Sequence, residues 1–103
     1  MNENEAALLF QALSNPDRLN VIRALVTAGP TGLSAGEIAE QIGASPSRAS
    51  FHLSALSEVG LIHSERQSRS LRYSIDFRRI GALMTFLLED CCNGDPNLRA
   101  CCP

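Results

Sequence analysis

The N-terminal part of this sequence contains two segments whose apolar residues recur at helical spacing. In residues 3–14 these positions are Ala6, Leu9, Phe10 and Leu13, with Leu8 and Ala12 on another side. The pattern predicts a helix with two partly buried faces. Asn15 and Pro16 then supply an N-cap and a first helical residue. The second predicted helix continues to Gly29-Pro30 through the periodic positions Leu19, Ile22, Arg23 and Val26.

Two more helices are predicted on either side of a glycine turn. Ser34 and Glu37 have the spacing of a capping box, in which each side chain accepts a hydrogen bond from the backbone of the other residue, and Gly43 ends this short helix. The next helix begins at Ser45-Pro46 and stops at Gly60. Two capped helices joined by a tight turn are typical of a helix-turn-helix.

The C-terminal half predicts a β-hairpin and a last helix. The segments LIHSER and SLRYSID contain β-prone residues and flank QSRS, which indicates two strands and a turn. Residues 77–90 predict a helix whose main stripe is Ile80, Leu83, Met84, Leu87 and Leu88, with Ala82 and Phe86 on the opposite side. Such a helix is expected to pack on its own domain and on a second subunit. The predicted fold is mainly α with a β-hairpin (α+β), a winged helix-turn-helix that is homodimeric through its N- and C-terminal helices.

The composition is that of a single soluble globular domain. The chain has 103 residues, of which 45% are hydrophobic, and we expect one domain over residues 1–103 with a cysteine-rich tail over about 91–103. No apolar run approaches the roughly 20 residues that span a membrane. The N-terminus lacks the features of a signal peptide. A cytoplasmic location, with cysteines mostly reduced, is therefore expected.

Charge is distributed unevenly along the chain. The net charge is −2, but residues 44–80 contain six arginines and three acidic residues, a local charge of +3. Guanidinium groups bind phosphates and guanine edges, so this zone is a candidate nucleic-acid contact, and a solvated charged face is the alternative. The two histidines are scattered: His52 is expected to be structural, with a DNA contact as the alternative, and His63 an exposed strand residue. No enzyme activity is expected.

The fourth predicted helix and the hairpin carry a more specific signal. The segment HLSALSEVGLI followed by SERQSRSLRYSI resembles the ArsR/SmtB family of metal-responsive bacterial repressors, over roughly residues 6–90. The resemblance implies a homodimer of winged helices that binds palindromic, double-stranded operator DNA and leaves it when an inducer binds. It also implies that Ser47, Arg48, Ser50 and Phe51 contact DNA.

The residue types of this helix independently support a DNA-binding face. Ala49, Leu53 and Leu56 form its predicted buried stripe, and the opposite side carries Ser47, Ser50, Phe51 and Ser54. Serine hydroxyls allow a close approach to base edges and bond several bases, and Arg48 on the flank suits guanine or a phosphate. Phe51 has two interpretations, contact with a thymine methyl group or packing against the neighbouring helix.

Arginines near the hairpin tip predict a second contact with DNA. Arg66 and Arg69 flank the tip, where they can reach the minor groove or its phosphates. Arg72 lies later in the hairpin and is predicted to pair with Glu65 in a surface contact that contributes less than about 1 kcal/mol.

The four cysteines, Cys91, Cys92, Cys101 and Cys102, form two adjacent pairs at the end of the chain, eight residues apart. Thiolates suit soft ions, and trivalent arsenic or antimony prefers three of them in a pyramid. Residues 93–96 (NGDP) predict a left-handed helix exit followed by a turn. The spacer is therefore long enough for Cys101 or Cys102 to join Cys91 and Cys92 on one As(III) or Sb(III) ion.

The resemblance also bears on the inducer. One inducer site of the family is a cysteine pair in the helix before the recognition helix, which is the second helix of the helix-turn-helix; the corresponding segment here, LSAGEIAEQIG, has no cysteine or histidine. Another site uses histidines and acidic residues along the C-terminal helix that forms the dimer; the corresponding segment here, FRRIGALMTFLLED, has no histidine. The tail is similar to an arsenic-responsive subgroup with an adjacent pair and a third cysteine, for which Cys101 is preferred here over Cys102. We expect an arsenite- or antimonite-responsive repressor. A zinc or cadmium site using the same cysteines, redox sensing by reversible disulfides and a tail without function are the alternatives.

Overall fold

The chain folds into helices packed around a small antiparallel sheet. The structure is a computed structural model and describes residues 1–100. In chain order the elements are α1 (Glu3–Leu13), α2 (Pro16–Ala28), a 3-10 turn (Gly29–Thr31), β1 (Leu33–Ser34), α3 (Ala35–Ile42), α4 (Pro46–Glu58), β2 (Ile62–Gln67), β3 (Ser70–Ile75), α5 (Phe77–Thr85), a π-helical segment (Phe86–Cys91) and α6 (Pro96–Ala100). Within residues 1–100 no helix has the length and apolar character needed to cross a membrane.

The predicted helix caps are confirmed. The Asn15 side chain accepts hydrogen bonds from the first turn of α2, and Ser45 does the same for α4. Ser34 and Glu37 form the capping box, with bonds of 3.2 Å from the Glu37 N–H to Ser34 Oγ and 2.9 Å from the Ser34 N–H to Glu37 Oε1. Gly43 is left-handed, with φ of 67°, and joins α3 to α4. The turn residue and the caps thus set the helix-turn-helix locally.

The hydrophobic core lies where the helices meet the sheet. Its fully buried large side chains are Leu9, Val21, Leu25, Ile38, Leu53, Leu56, Leu61, Ile62 and Leu83. Full burial of each contributes about 1.5–3 kcal/mol. The predicted stripe of α4 is confirmed, because Ala49, Leu53 and Leu56 are all buried. The other face of α4 is consequently free to meet a ligand.

The stripe predicted for α2 is wrong in phase. Leu19 and Val26 are about half exposed, at 52% and 48%, and the core residues of this helix are Val21 and Leu25. Apolar residues occur on several sides of α2, so helical spacing is satisfied by more than one face. Packing against α3 and α4 selects the face with Val21 and Leu25. In α1, Phe10 is similarly outside the core, with 39% of its surface exposed.

The sheet has three strands in the order β1-β3-β2, with antiparallel neighbours. The predicted hairpin is β2 and β3, and Ser68 in its turn has φ of 55°. Strand β1 was not predicted, because two residues are too short to show an alternating pattern. Gly32 precedes β1 with φ of 67°, and a Cβ there would collide with the Tyr73 carbonyl oxygen. The approach of β1 to β3 therefore requires glycine.

The last predicted helix, over residues 77–90, is divided into α5 and the π-helical segment. Leu83 and Phe86 are buried together, whereas Met84 and Leu87 are 44% and 38% exposed. The prediction that both sides are apolar is confirmed, but the placement of Phe86 opposite Leu83 is wrong. Residues three apart are neighbours on a helix surface, so Leu83 and Phe86 share one face. The buried face is centred between them.

The chain folds back after the π-helical segment. Asn93 and Gly94 have φ of 55° and 63°, which confirms the predicted left-handed exit. The Gly94 N–H donates to the Leu88 carbonyl at 2.8 Å. Arg99 of α6 forms an ion pair with Glu89. Helix α6 is thereby held next to the segment that carries the first cysteine pair.

Candidate nucleic-acid interface and thiol pair

The outward face of α4 carries four of the side chains predicted to contact DNA. Ser47, Ser50, Phe51 and Ser54 are all exposed. Phe51 is 65% exposed and is the most exposed large apolar side chain of residues 1–100. Small hydroxyls and one aromatic ring thus form the surface of the second helix of the helix-turn-helix, the element that enters the major groove in proteins of this architecture.

Arg48 is exposed at the edge of this face, but its guanidinium is bound at two points. Its Nε donates to Asp17 Oδ2 at 3.0 Å, and its Nη2 donates to the Gly43 carbonyl at 3.2 Å. The side chain is 51% exposed. A guanidinium has five N–H donors, so these two bonds leave three for an external acceptor such as a phosphate or a guanine edge.

His52 is a structural residue, as expected, with only 4% of its surface exposed. Its Nδ1 accepts a hydrogen bond from Arg18 Nε at 3.1 Å, and its Nε2 lies 3.3 Å from Asp17 Oδ2. Because Arg18 is only a donor, the proton of a neutral imidazole must be on Nε2, which donates to Asp17. The alternative of a DNA contact by His52 does not fit this burial.

Phe51 contacts α2 and remains exposed. The Arg18 guanidinium carbon lies 5.5 Å from the Phe51 ring centroid, within the range of a cation–π interaction. The same ring meets His52 edge to face at 5.8 Å. The packing interpretation of Phe51 is thus correct for one face of the ring, and its exposed surface is still open to a thymine methyl group.

Asp17 and Arg18 were not found by sequence reasoning. They lie two and three residues after the Asn15 cap, and their partners on α4 are 31 to 35 residues away. No local pattern connects residues at such a separation. The contacts follow only from the packing of α2 against α4.

Some arginines of the basic zone, residues 44–80, bind other parts of the protein rather than facing solvent. Arg66 and Arg69 are exposed at the hairpin tip, where the sequence places them. Arg79, by contrast, donates to the Val59 carbonyl at 3.2 Å and to Glu5 at 3.3 Å, which joins α5 to α4 and α1. The positive charge that can reach DNA is therefore smaller than the sequence count indicates.

The predicted pair of Arg72 with Glu65 is wrong. The two residues are opposite each other in the sheet, but the Arg72 guanidinium donates to Glu37 Oε1 and to the Gly32 carbonyl, both at 2.9 Å, and to the Thr31 carbonyl at 3.3 Å. These three acceptors, which lie on either side of β1 in the chain, together bind Arg72 more strongly than the single exposed carboxylate of Glu65 would. Arg72 therefore links the hairpin to the start of α3.

This link affects the acidity of Glu37. Its pKa is lowered from the ordinary value by the Ser34 backbone N–H, then by the Ser34 hydroxyl, and also by Arg72. All three stabilise the carboxylate, because each donates a hydrogen bond or supplies positive charge. The capping box is thus strongest with Glu37 ionised.

Cys91 is the last residue of the π-helical segment and Cys92 follows it directly; both are free thiols, the first exposed and the second half-buried. Within residues 1–100 no group of three or more histidine, cysteine or acidic side chains is placed to hold a metal ion. Cys101 and Cys102, predicted as further ligands, lie outside the described residues. The described part of the chain supplies two adjacent thiols of the three that a trivalent metalloid prefers.

Comparisons with known proteins agree with this geometry. A family described as "Helix-turn-helix domain" matches residues 13–65, just over half of the chain. The HTH-type transcriptional regulator YgaV of Escherichia coli K12 is 36% identical over 88 residues, which is 85% of this chain and 87% of YgaV. A probable mercury resistance operon repressor of Streptomyces lividans is 34% identical over 89 residues, 86% of this chain and 67% of that protein.

Solved structures show the same fold. An ArsR-like transcriptional regulator from Rhodococcus sp. RHA1 has a TM-score of 0.75 and 28% identity, over 94% of this chain and 89% of that one. The homodimeric winged helix-turn-helix domain of Mb0332 from Mycobacterium bovis has a TM-score of 0.68 and 24% identity, over 82% and 77%. The relatives are regulators of transcription, which confirms the expectation that the chain is not an enzyme.

Proposed function

The chain belongs to the ArsR family of winged-helix transcriptional regulators, and from this premise we propose that it is an arsenite- or antimonite-responsive repressor. It binds operator DNA as a homodimer and is released when the ion binds Cys91, Cys92 and one of Cys101 and Cys102. The observation that carries the proposal is the position of Cys91 and Cys92, two free thiols at the end of the helix that also exposes apolar side chains.

The proposed homodimer is supported by exposed apolar side chains on the terminal helices. They are Phe10 on α1, Phe77 and Met84 on α5, and Leu87 on the π-helical segment. The ion pair of Glu5 with Arg79 holds the starts of α1 and α5 together. The homodimeric Mb0332 domain has the same fold. In the proposed complex the two recognition helices lie about 34 Å apart, which is the spacing of successive major grooves on one side of the DNA.

The preference for a soft ion follows from the ligand chemistry. Thiolates select soft ions, and a trivalent metalloid needs only three donors. The Streptomyces relative is a probable mercury resistance operon repressor, and mercury is also thiophilic. This supports an inducer of the same chemical class. Zinc is the weaker candidate, because its four-cysteine sites favour pairs separated by two to four residues.

The thiols are placed to act on the proposed dimer. Cys91 follows Leu87 by four residues and is in the same π-helical segment, so an ion at the thiols changes the end of the helix that the second subunit would contact. A 100-fold loss of DNA affinity requires about 2.7 kcal/mol of coupling, which is within the usual allosteric range. The coupling is therefore a modest fraction of the binding energy of three sulfur ligands.

The test measures DNA binding with and without the ion. A duplex is first selected from a random pool by the ion-free protein, and its binding is then followed by fluorescence anisotropy in excess reductant. Arsenite or antimonite is expected to weaken binding about 100-fold, and Cys91→Ser and Cys92→Ser proteins are expected to remain on the duplex. The matched control is Asp90→Ser, which changes the exposed neighbour of the pair and should still be released.

The same assay separates the alternatives. Release of the Cys91→Ser and Cys92→Ser proteins by arsenite would show that the proposed site is wrong. A response to zinc alone, or to an oxidant alone after the reductant has been removed, would favour the corresponding alternative. Cys101→Ser and Cys102→Ser proteins identify the third ligand. X-ray absorption of the loaded protein then counts the sulfur neighbours, with three expected for arsenic.

A further inference from the structure

The carboxylate of Asp17 joins α4, the recognition helix, to the start of α2. Asp17 Oδ2 accepts hydrogen bonds from Arg48 Nε at 3.0 Å and from His52 Nε2 at 3.3 Å. Arg48 and His52 are four residues apart, so they are neighbours on one side of α4. Asp17 therefore holds two successive turns of the recognition helix.

The imidazole fixes the direction of these bonds. Arg18 donates to His52 Nδ1 at 3.1 Å and to the Ala12 carbonyl at 3.3 Å, so Arg18 is itself held in place. Only the neutral His52 tautomer with its proton on Nε2 satisfies both Arg18 and Asp17. At 4% exposure, water has little access to His52 to replace either bond. The network has a single consistent arrangement.

This arrangement restricts Arg48 before DNA binds. A free arginine side chain loses about 2 kcal/mol of rotamer entropy when it is ordered. Here the Nε edge is held by Asp17 and one Nη2 hydrogen by the Gly43 carbonyl, so the plane of the guanidinium is set by the protein. A preset plane favours two parallel hydrogen bonds to guanine over a phosphate contact in any orientation.

We propose that Asp17 is a positioning residue that orients Arg48 for base recognition, an inference that rests on the DNA-binding part of the proposed function. Asp17 is also a negative charge, 27% exposed, beside a surface that meets phosphates. It should therefore weaken binding to random DNA while it sharpens sequence preference. A residue that only stabilised the fold would instead raise the affinity for specific and for random DNA alike, and its loss would lower both.

The test compares specific and random duplexes. Asp17→Asn is expected to lower the preference for the selected duplex over a random one by about tenfold, whereas its affinity for the random duplex stays the same or rises. Selection from a random pool should lose one guanine preference in each half-site. Glu58→Gln is the matched control, because it removes one exposed acidic charge from α4 without contact to Arg48 or His52 and should keep the preference.

Two further measurements keep the outcomes distinct. Arg48→Lys retains the charge but not the planar fork, so it should lose the same guanine preference as Asp17→Asn. Nitrogen NMR of wild-type His52 should show the proton on Nε2. An unchanged preference in Asp17→Asn, or a proton on Nδ1, would overturn the inference but leave the proposed function standing. A wild-type protein that selects no duplex would overturn both.

Discussion

Replacement of Leu87 by glutamate tests whether the exposed side of the last helix is a subunit interface. Leu87 has 38% of its surface exposed in the single chain. Complete burial of a leucine contributes about 1.5–3 kcal/mol, so covering the remaining surface contributes about 0.6–1.1 kcal/mol per subunit. A twofold dimer contains the residue twice, which gives about 1.1–2.3 kcal/mol. Leu87→Glu should therefore raise the dimer dissociation constant about 6- to 50-fold, and more if the carboxylates stay ionised.

Sedimentation equilibrium measures this constant directly. The chain offers a closely matched control in Leu71, which is 39% exposed but lies on β3 in the hairpin. Leu71→Glu makes the same chemical change at the same exposure and should leave the dimer constant unaltered. Equal constants for Leu87→Glu and wild type would refute the assignment of this face to the second subunit, and equal weakening by both variants would indicate a general effect of added charge.

Three further predictions concern the fold. Because the folded-state pKa of Glu37 is lowered, its carboxylate stabilises the fold fully above about pH 4.5, and this contribution is lost as the pH falls through the folded-state pKa. In Glu37→Gln the free energy of unfolding, measured with urea, should therefore decrease less between pH 4.5 and lower pH than it does in the wild type. The same pH dependence in both proteins would contradict this. Gly32→Ala should destabilise the fold by more than the roughly 1–3 kcal/mol that a side chain costs at this positive φ and extended ψ, since its Cβ meets the Tyr73 carbonyl oxygen. Gly29→Ala has similar backbone angles and open space around the Cβ, so it should cost only the conformational part, and equal thermal shifts for the two variants would disprove the collision. Leu56→Ala should cost about 2–5 kcal/mol by chemical denaturation, and a loss below about 1 kcal/mol would show that this core position tolerates a cavity.

The parts of the fold that local rules determine could be predicted from the sequence. Asn15, Ser34 and Ser45 cap helices through bonds to residues two or three positions away, so the pattern alone identifies them. The buried stripe of α4 was also predictable, because its opposite side is mostly serine. Helix α2 has apolar residues on several sides, and only packing decides that Val21 faces the core while Leu19 does not.

The site was predictable in its surface but not in its internal contacts. The exposed serines and Phe51 of α4 follow from helical phase. The bond of Arg48 to Asp17 crosses 31 residues and that of Arg72 to Glu37 crosses 35, and no spacing rule applies at those separations. Several arginines have similar sequence neighbours, so the sequence does not distinguish one that braces the fold from one that faces solvent.

The π-helical segment makes the direction of the cysteine thiols less sensitive to a change of chain length than a regular α-helix would. Its wider turn holds about one residue more than an α-turn, so Cys91 lies at the angle around the axis that its predecessor would have in an uninterrupted α-helix. Loss of one residue between 86 and 91 would restore regular winding and keep the sulfur atoms pointing in the same direction. Loss of one residue within α5 would instead swing them by about 100°. The direction of the thiols is therefore insensitive to a one-residue deletion in this segment but sensitive to one in α5.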